Sequence, residues 1–335
     1  MLTIFTTPKP FKDHAGIIQR NAIKSWTLLK PRPEIILIGD EEGTAEACQE
    51  FGLRHIPEVQ RNESGTPLVS AVFGIGQSLA SNPYACYVNA DIILLNEFME
   101  AIQRLMKLMS RDSCDGYSVN ADIGKLSLKK EVKYPGFNQP EGRYFLVVGR
   151  RCNMDLNEPL DFNCMNWESN LLAYQRSHGK LASPWAIDYF LFPVGLYKNI
   201  PPFTLGRCHW DNWLVYDVYS RGIRIIDMTP TITVIHQNHD YSHIPGGEEG
   251  LRKGIEMKRN WELQGGYYSR IFNIWDSTHV LSTNITKASL LRHLGAHWIR
   301  LRYFLIILLV ETLYPFSLPL VILLRGIRGC FRFIQ

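Results

Sequence analysis

Short apolar runs alternate with longer amphipathic stretches through the first 110 residues of the chain. The runs at 2–6, 34–38, 53–56 and 84–88 read as strands. The stretches at about 14–29, 43–51, 66–80 and 96–109 repeat their apolar positions every three to four residues and read as helices. Such an alternation predicts a mostly parallel sheet covered by helices on both faces. Ligands of these sheets bind beyond the carboxyl ends of the strands. That rule points to Thr6, Thr7 and Pro8, to Gly39 and Asp40, and to Asn89 through Asp91.

Past Asp115 the pattern changes. A strand-like Tyr117 to Val119 leads into a stretch, 124–142, broken by Pro135, Gly136, Pro140 and Gly142, which reads as a long excursion. A strand at Tyr144 to Val148, a helix at about 165–177 and a strand at Ile187 to Phe192 follow. The next helix opens near His209 to Asp211 and stops at Gly222, a usual helix terminator. Strands at 223–227 and 231–235, a helix at about 248–262 and short segments to Val280 complete a main domain, 1–280, with halves 1–110 and 111–280.

The remainder, 281–335, reads as a helical, membrane-associating appendage. Within it Tyr303 to Leu324 carries one charge, Glu311. That length matches the roughly 20 apolar residues a bilayer span needs. Pro315 and Pro319 interrupt it, and arginines flank both ends (Arg300 and Arg302; Arg325, Arg328 and Arg332). Basic residues on both sides favour a surface-lying or re-entrant anchor over a simple span; two helices packed on the main domain are the alternative.

Composition narrows the classes. With 335 residues, 46% of them hydrophobic, the chain can bury one large core. A net charge of +4, with no basic run interleaved with aromatics, argues against nucleic acid as a partner. The seven cysteines are scattered singly without a CxxC pair, which suggests neither a disulfide framework nor a cysteine zinc site and fits a reducing, cytoplasmic compartment. The first strand starts at Leu2, which leaves no room for a secretory signal.

Several residues invite chemistry. Asp211 falls in the first turn of its helix, where the helix end favours an ionised carboxylate of the kind a general base must be; a plain cap is the competing role. Asn89 and Asp91 share one face of a strand end and offer oxygens to Mg²⁺ or Mn²⁺. The same VNADI recurs at 119–123, which makes Asp122 a competitor, but Asp91 ends the regular strand series and is preferred. His236, His239 and His243 would converge on zinc only from a helix, and the HExxH glutamate is missing. His236 is therefore assigned to the same cation or to a phosphate, and His239 and His243 to structural or acceptor-facing roles. Gly74-Ile75-Gly76 precedes a strand inside a helix and is no dinucleotide fingerprint, and no Walker loop occurs.

In order and spacing, residues 1–245 resemble a GT-A-fold glycosyltransferase of the family 2 kind. Thr6-Thr7-Pro8 matches that family's first strand and turn, IILIGDEEGTAEACQEFG its second strand with Asp40 as the nucleoside carboxylate, and Asn89-Ala90-Asp91 its metal-binding DxD. Trp210-Asp211 matches the catalytic Glu-Asp pair, and Thr231 to His236 the downstream strand and histidine. IDYFLFPVGLY, PPFTLGRCHWDNWL and IHQNHDYSH also resemble a group of bacterial glycosyltransferase-like proteins. The resemblance implies the α/β nucleotide-diphospho-sugar transferase fold and a divalent cation, Mn²⁺ or Mg²⁺, on Asp91 and His236. It implies a nucleoside-diphosphate sugar as donor and inversion with Asp211 as base. The acceptor would be a glycan or lipid-linked hydroxyl at the cytoplasmic membrane surface. Asp188 and Trp210 become candidates for the acceptor or sugar, with Trp213 left to the core, and Arg150, Arg151 or Arg207 for charge near the diphosphate.

Two departures from the family pattern stand out: Asn89 in place of the first carboxylate and Trp210 in place of the glutamate. They leave a catalytically inactive nucleotide-sugar-binding module as the alternative. A sugar-phosphate nucleotidyltransferase ranks lower, because TTPKPFKDH has no glycine with which to cradle a triphosphate.

Overall fold

A computed structural model describes residues 1–114, 144–240, 246–266 and 270–313. In chain order the elements are β1 (Leu2–Thr6), α1 (Asp13–Thr27), β2 (Glu34–Ile38), α2 (Thr44–Phe51), β3 (Arg54–Ile56), α3 (Val69–Leu79), β4 (Tyr84–Val88), β5 (Ile92–Ile93) and α4 (Asn96–Cys114). Then come β6 (Phe145–Val148), β7 (Arg151–Met154), α5 (Trp167–His178), β8 (Lys180–Leu181), β9 (Tyr189–Pro193), α6 (Trp210–Ser220), β10 (Arg224–Asp227) and β11 (Val234–Gln237). The last are α7 (Gly247–Lys253), α8 (Ile255–Leu263), a 3-10 turn (Ile274–Asp276), β12 (His279–Leu281), β13 (Ile285–Lys287) and α9 (Leu290–Leu313).

Nine of these strands form the main sheet in the order β13-β12-β10-β6-β9-β4-β1-β2-β3. β3, β2, β1 and β4 run parallel, β9 runs against both β4 and β6, and β6, β10 and β12 are again parallel. The result is the mixed, mostly parallel sheet the alternation predicts, with β9 reversed at its centre and β13 reversed at its edge. All five residues of β1 are buried because helices cover both faces. Leu2 and Ile4 point to one core with Trp26 of α1 and Phe98 of α4. Phe5 points to the other, with Phe73 of α3 and Leu214 of α6. Gly76 has a packing reason: a Cβ there would run into the Phe5 ring, so the glycine lets α3 lie close on β1.

A second, four-stranded sheet, β5-β11-β7-β8, sits beside the carboxyl ends of the first. β11 pairs parallel with β7 and antiparallel with β5. This sheet gathers three distant pieces of chain: β5 starts just after Asp91, β7 begins with Arg151, and β11 carries His236.

Several boundaries differ from the sequence expectation. The strand expected at 231–235 is Val234–Gln237 and belongs to the small sheet. The helix expected at about 248–262 is two helices meeting at Gly254, whose extended backbone breaks the run. The boundary expected at 280 falls inside the β12–β13 hairpin, which joins the main sheet. Asp122 and the excursion at 124–142 lie outside the described residues, as does His243. Of the apolar stretch 303–324, residues up to Leu313 continue α9 and the rest lie outside. Among the described residues no helix is long and apolar enough to cross a membrane.

Candidate active site

The carboxyl ends of β1 and β4 open into a cleft of about 430 Å³. Thr7, Pro8 and Lys9 line it from the turn after β1, and Asn89 and Asp91 from the end of β4. Asp188, Asp211, His236 and His239 complete its floor. Asp91 and Asp211, 120 residues apart in sequence, thus face one cavity.

At one corner Asp91, His236 and His239 converge, with one potential ligand atom from each lying within 4.8 Å of the others. His239 Nε2 is 3.1 Å and His236 Nε2 3.9 Å from Asp91 Oδ2. The Lys9 ammonium lies 3.3 Å from His239 Nε2 and 4.0 Å from Asp91 Oδ2. Burial resists ionisation of Asp91, but His236, the His239 hydrogen bond and Lys9 outweigh it and hold the carboxyl well below its usual range. Burial lowers His236 to about 4, so its imidazole is neutral at pH 7 and keeps a lone pair for a metal. Asp91 Oδ1 and His236 Nδ1 are buried without a hydrogen-bond partner among the described residues. One carboxylate with two imidazoles fits a divalent cation, and the nitrogen donors suit Mn²⁺ better than Mg²⁺.

The sequence analysis assigned His239 a structural or acceptor-facing role; the structure places its Nε2 3.1 Å from Asp91 Oδ2, beside His236. Convergence was expected only from a helix, yet the chain leaves β11 after Gln237 and turns back, bringing the two rings to 5.4 Å. Lys9 was not singled out at all; its sole sequence signal is a cation three residues beyond a buried strand.

Asn89 has a local explanation. Its amide donates to Asp188 Oδ1 at 2.8 Å, and its backbone N–H donates to the Asp188 carbonyl at 2.9 Å. Arg151 donates to the same Oδ1 at 2.6 Å. A carboxylate at position 89 would face Asp188 with like charge, whereas an amide can donate to it. Asp188 Oδ2 is left buried without a partner among the described residues.

Asp211 lines the same cleft from the first turn of α6. The helix end was expected to favour the ionised form. Burial outweighs it and, with Asp188 nearby, raises the carboxyl to about 7, against the opposing pull of the Asn212 backbone N–H and Arg151. The helix opens on His209, which takes a left-handed φ of 88° and rests its ring 5.3 Å from Trp261. Trp210 is 5% exposed, with Tyr87 and Phe190 rings at 5.5 and 5.6 Å. It packs α6 on β4 and also lines the cleft beside Asp211. Trp213 packs on Phe203 at 5.4 Å.

On the β2 side the expected carboxylate shifts by one residue. The Asp40 side chain is 70% exposed, pairs with Arg61 at 2.7 Å and lies outside the cleft, on a neighbouring shallow pocket. Glu41 lines the cleft, bonds Arg61 through Oε1 at 2.8 Å, and keeps Oε2 buried without a partner among the described residues. Gly39 makes this possible: its φ is +114°, and a Cβ there would strike the Glu41 carboxylate. Thr7 Oγ1 is likewise buried and unpartnered among the described residues. Thr6 is fully buried in β1 and does not line the cleft, which removes it from direct contact with a ligand. Arg151 and Arg207 line the cleft, each paired with an acid, Asp188 and Glu256, at 2.6 Å. Arg150 does not line it and donates to the Ala182 carbonyl.

No family model and no curated protein matches the chain. It is similar to the solved structure of glucosyl-3-phosphoglycerate synthase from Mycobacterium tuberculosis in complex with phosphoglyceric acid. The identity is 14% over 81% of this chain and 80% of that one, with a TM-score of 0.40. The same enzyme in complex with Mn²⁺, uridine diphosphate and phosphoglyceric acid is 13% identical over 79% and 78%, also at 0.40. S. aureus TarS 1-349 in complex with UDP-GlcNAc is 13% identical over only 32% of this chain and 31% of that one, at 0.26. The chain has an α/β fold built on a mixed, mostly parallel sheet with helices on both faces. In that sheet β9 is reversed between β4 and β6, and the cleft lies at the carboxyl ends of β1 and β4. The likeness is one of general architecture; the chemistry rests on this chain's residues.

Proposed function

We propose that the chain is a glycosyltransferase that moves a sugar from a nucleoside-diphosphate donor to a hydroxyl acceptor with inversion. One observation carries the reading: the half-buried Asp211, its carboxyl raised to about 7 by desolvation, shares a cleft with the Asp91–His236–His239 corner. Asp211 takes the acceptor's hydroxyl proton as the oxygen attacks the anomeric carbon, and the bond from that carbon to the diphosphate oxygen breaks with its electron pair leaving on the diphosphate. A base whose pKa lies near the working pH suits this step. Lys9 places an ammonium beside the departing phosphates. A divalent cation on Asp91, His236 and His239 would offset more of that charge.

The remaining polar groups bind and orient. The free Glu41 oxygen and the Thr7 hydroxyl are the groups that hydrogen-bond the nucleoside, with Arg61 fixing Glu41. Asp188, held by Arg151 and Asn89, turns its free oxygen to a sugar or acceptor hydroxyl. The acceptor class is a glycan or lipid-linked hydroxyl at the cytoplasmic face of a membrane, following the apolar, arginine-flanked end of the chain.

A thermal-shift screen of nucleoside diphosphates and their sugars with Mn²⁺, followed by assay of diphosphate release, tests the proposal. Wild type should bind and release; Asp211→Asn should bind and fail to release. Binding without release by wild type at any Mn²⁺ concentration would instead make the chain a nucleotide-sugar-binding module.

A further inference from the structure

α9 fixes one face to the main domain and leaves the other bare. On the inner side Ala296 is buried, Arg292 donates to Asp227 at 2.6 Å, and Arg300 grips both oxygens of Asp276 at 2.7 and 2.8 Å. The Arg300 guanidinium also lies 4.4 Å over the Phe272 ring. On the outer side Leu291, Leu294, Trp298, Leu301 and Leu305 recur every three or four residues and are each 44% to 80% exposed. Residues at that spacing form one stripe along a helix. Monomers seldom leave so many large apolar side chains contiguous in water.

The charge of the sequence that carries and follows the stripe points to what covers it. From Leu290 to Gln335 the sequence holds six arginines and one acid, Glu311. Arg292 and Arg300 are neutralised inside the fold. Arg325, Arg328 and Arg332 follow in the sequence, within a stretch otherwise apolar. Two copies meeting through this face would each contribute a C-terminal sequence that holds several arginines and one acid. Anionic lipid headgroups supply the missing charge, and a tryptophan between leucines suits the boundary between headgroups and acyl chains.

We propose that the Leu291–Leu305 face of α9 docks on an anionic bilayer surface, lying in its plane. The stripe is upstream of most of the apolar stretch 303–324 and does not depend on the transferase proposal. Asp227, where α9 is tied down, ends β10 at the same sheet edge as the cleft, because β10 and β6 run with β4. Docking therefore sets that edge in a fixed relation to the lipid.

The test uses the full chain and vesicles of phosphatidylcholine, alone or with about a third phosphatidylglycerol. Wild type should sediment with the anionic vesicles, more weakly as salt rises, and hardly with the neutral ones. Replacing three exposed residues together, Leu291→Ser, Trp298→Ser and Leu301→Ser, should weaken binding about tenfold or more with an unchanged melting temperature. Brominated lipid should quench wild-type tryptophan fluorescence more than that of Trp298→Phe. Failure of wild type to bind anionic vesicles, equal binding by the triple variant, or equal quenching would each overturn the proposal. A concentration-dependent dimer dissolved by Trp298→Ser, without vesicle binding, would assign the face to a second copy and overturn it too.

Discussion

Two carboxylates lining one cleft are driven in opposite directions. Asp91 is buried among two imidazoles and an ammonium, and its carboxyl is held well below the usual range. Asp211 is half-buried, and desolvation, with Asp188 as a like-charged neighbour, raises its carboxyl to about 7. Desolvation pushes both upward; it prevails at Asp211, whereas around Asp91 the imidazoles and the ammonium outweigh it. When environments push two titratable groups apart, one is fitted to remain an anion and the other to exchange a proton.

Exchanging the two roles by mutation gives the largest expected effects. Asp211→Asn should lower turnover about 10³-fold while leaving donor affinity nearly intact, since only proton transfer is lost. Asp91→Ala should instead weaken Mn²⁺-dependent binding of a nucleoside diphosphate about 100-fold or more, and chelation of wild type should mimic it. Calorimetric titration of both variants with and without Mn²⁺ separates the two carboxylates. Equal loss of binding in both variants would show that they do not act separately.

The pH profile sharpens the contrast next. If Asp211 must be ionised, kcat/KM should climb with pH and level off above about 7. Stability should run the other way. Its folded value near 7 exceeds the ordinary 3.8, so the folded state holds the extra proton. That contribution is complete below about pH 4 and is lost as pH rises through 7. Asparagine has no proton to lose, so Asp211→Asn should be the more stable form at pH 8, by on the order of a few kcal/mol, with the difference closing toward pH 4. Denaturant unfolding at both pH values reads this directly, and a variant no more stable at pH 8 would place Asp211 at an ordinary pKa.

How much of this was legible depended on whether the signal was local. The strands and helices of the first 110 residues follow from periodicity, and strand ends are where cleft residues must lie, so Thr7, Pro8, Asn89 and Asp91 were found without coordinates. Direction is another matter. β9 is a fully buried run, and such a run fits a parallel or antiparallel place equally well, so its reversal between β4 and β6 had no local mark. His239 joins the metal corner through a turn after β11 and a pairing with β5, contacts between segments nearly 150 residues apart. Trp210 was a candidate because its helix starts at a ligand-facing edge. It lines the cleft, and its ring also packs on aromatics from β4 and β9.

The smallest expected effect repeats the contrast between partnered and unpartnered carboxylates in neighbouring residues. Asp40 and Glu41 both bond Arg61, but Asp40 does so in solvent while Glu41 keeps a free, buried oxygen in the cleft. An exposed ion pair contributes about 0 to 1 kcal/mol. A buried acceptor bonding a ligand is worth more, because its replacement leaves a donor unsatisfied at a cost of about 1 to 3 kcal/mol. Glu41→Gln should therefore weaken nucleoside-diphosphate binding about tenfold, and Asp40→Ala less than about twofold. Arg61→Met should fall between them, since it frees Glu41 to turn without removing it. Isothermal titration of the three variants ranks them, and an Asp40→Ala loss larger than that of Glu41→Gln would return the nucleoside contact to Asp40.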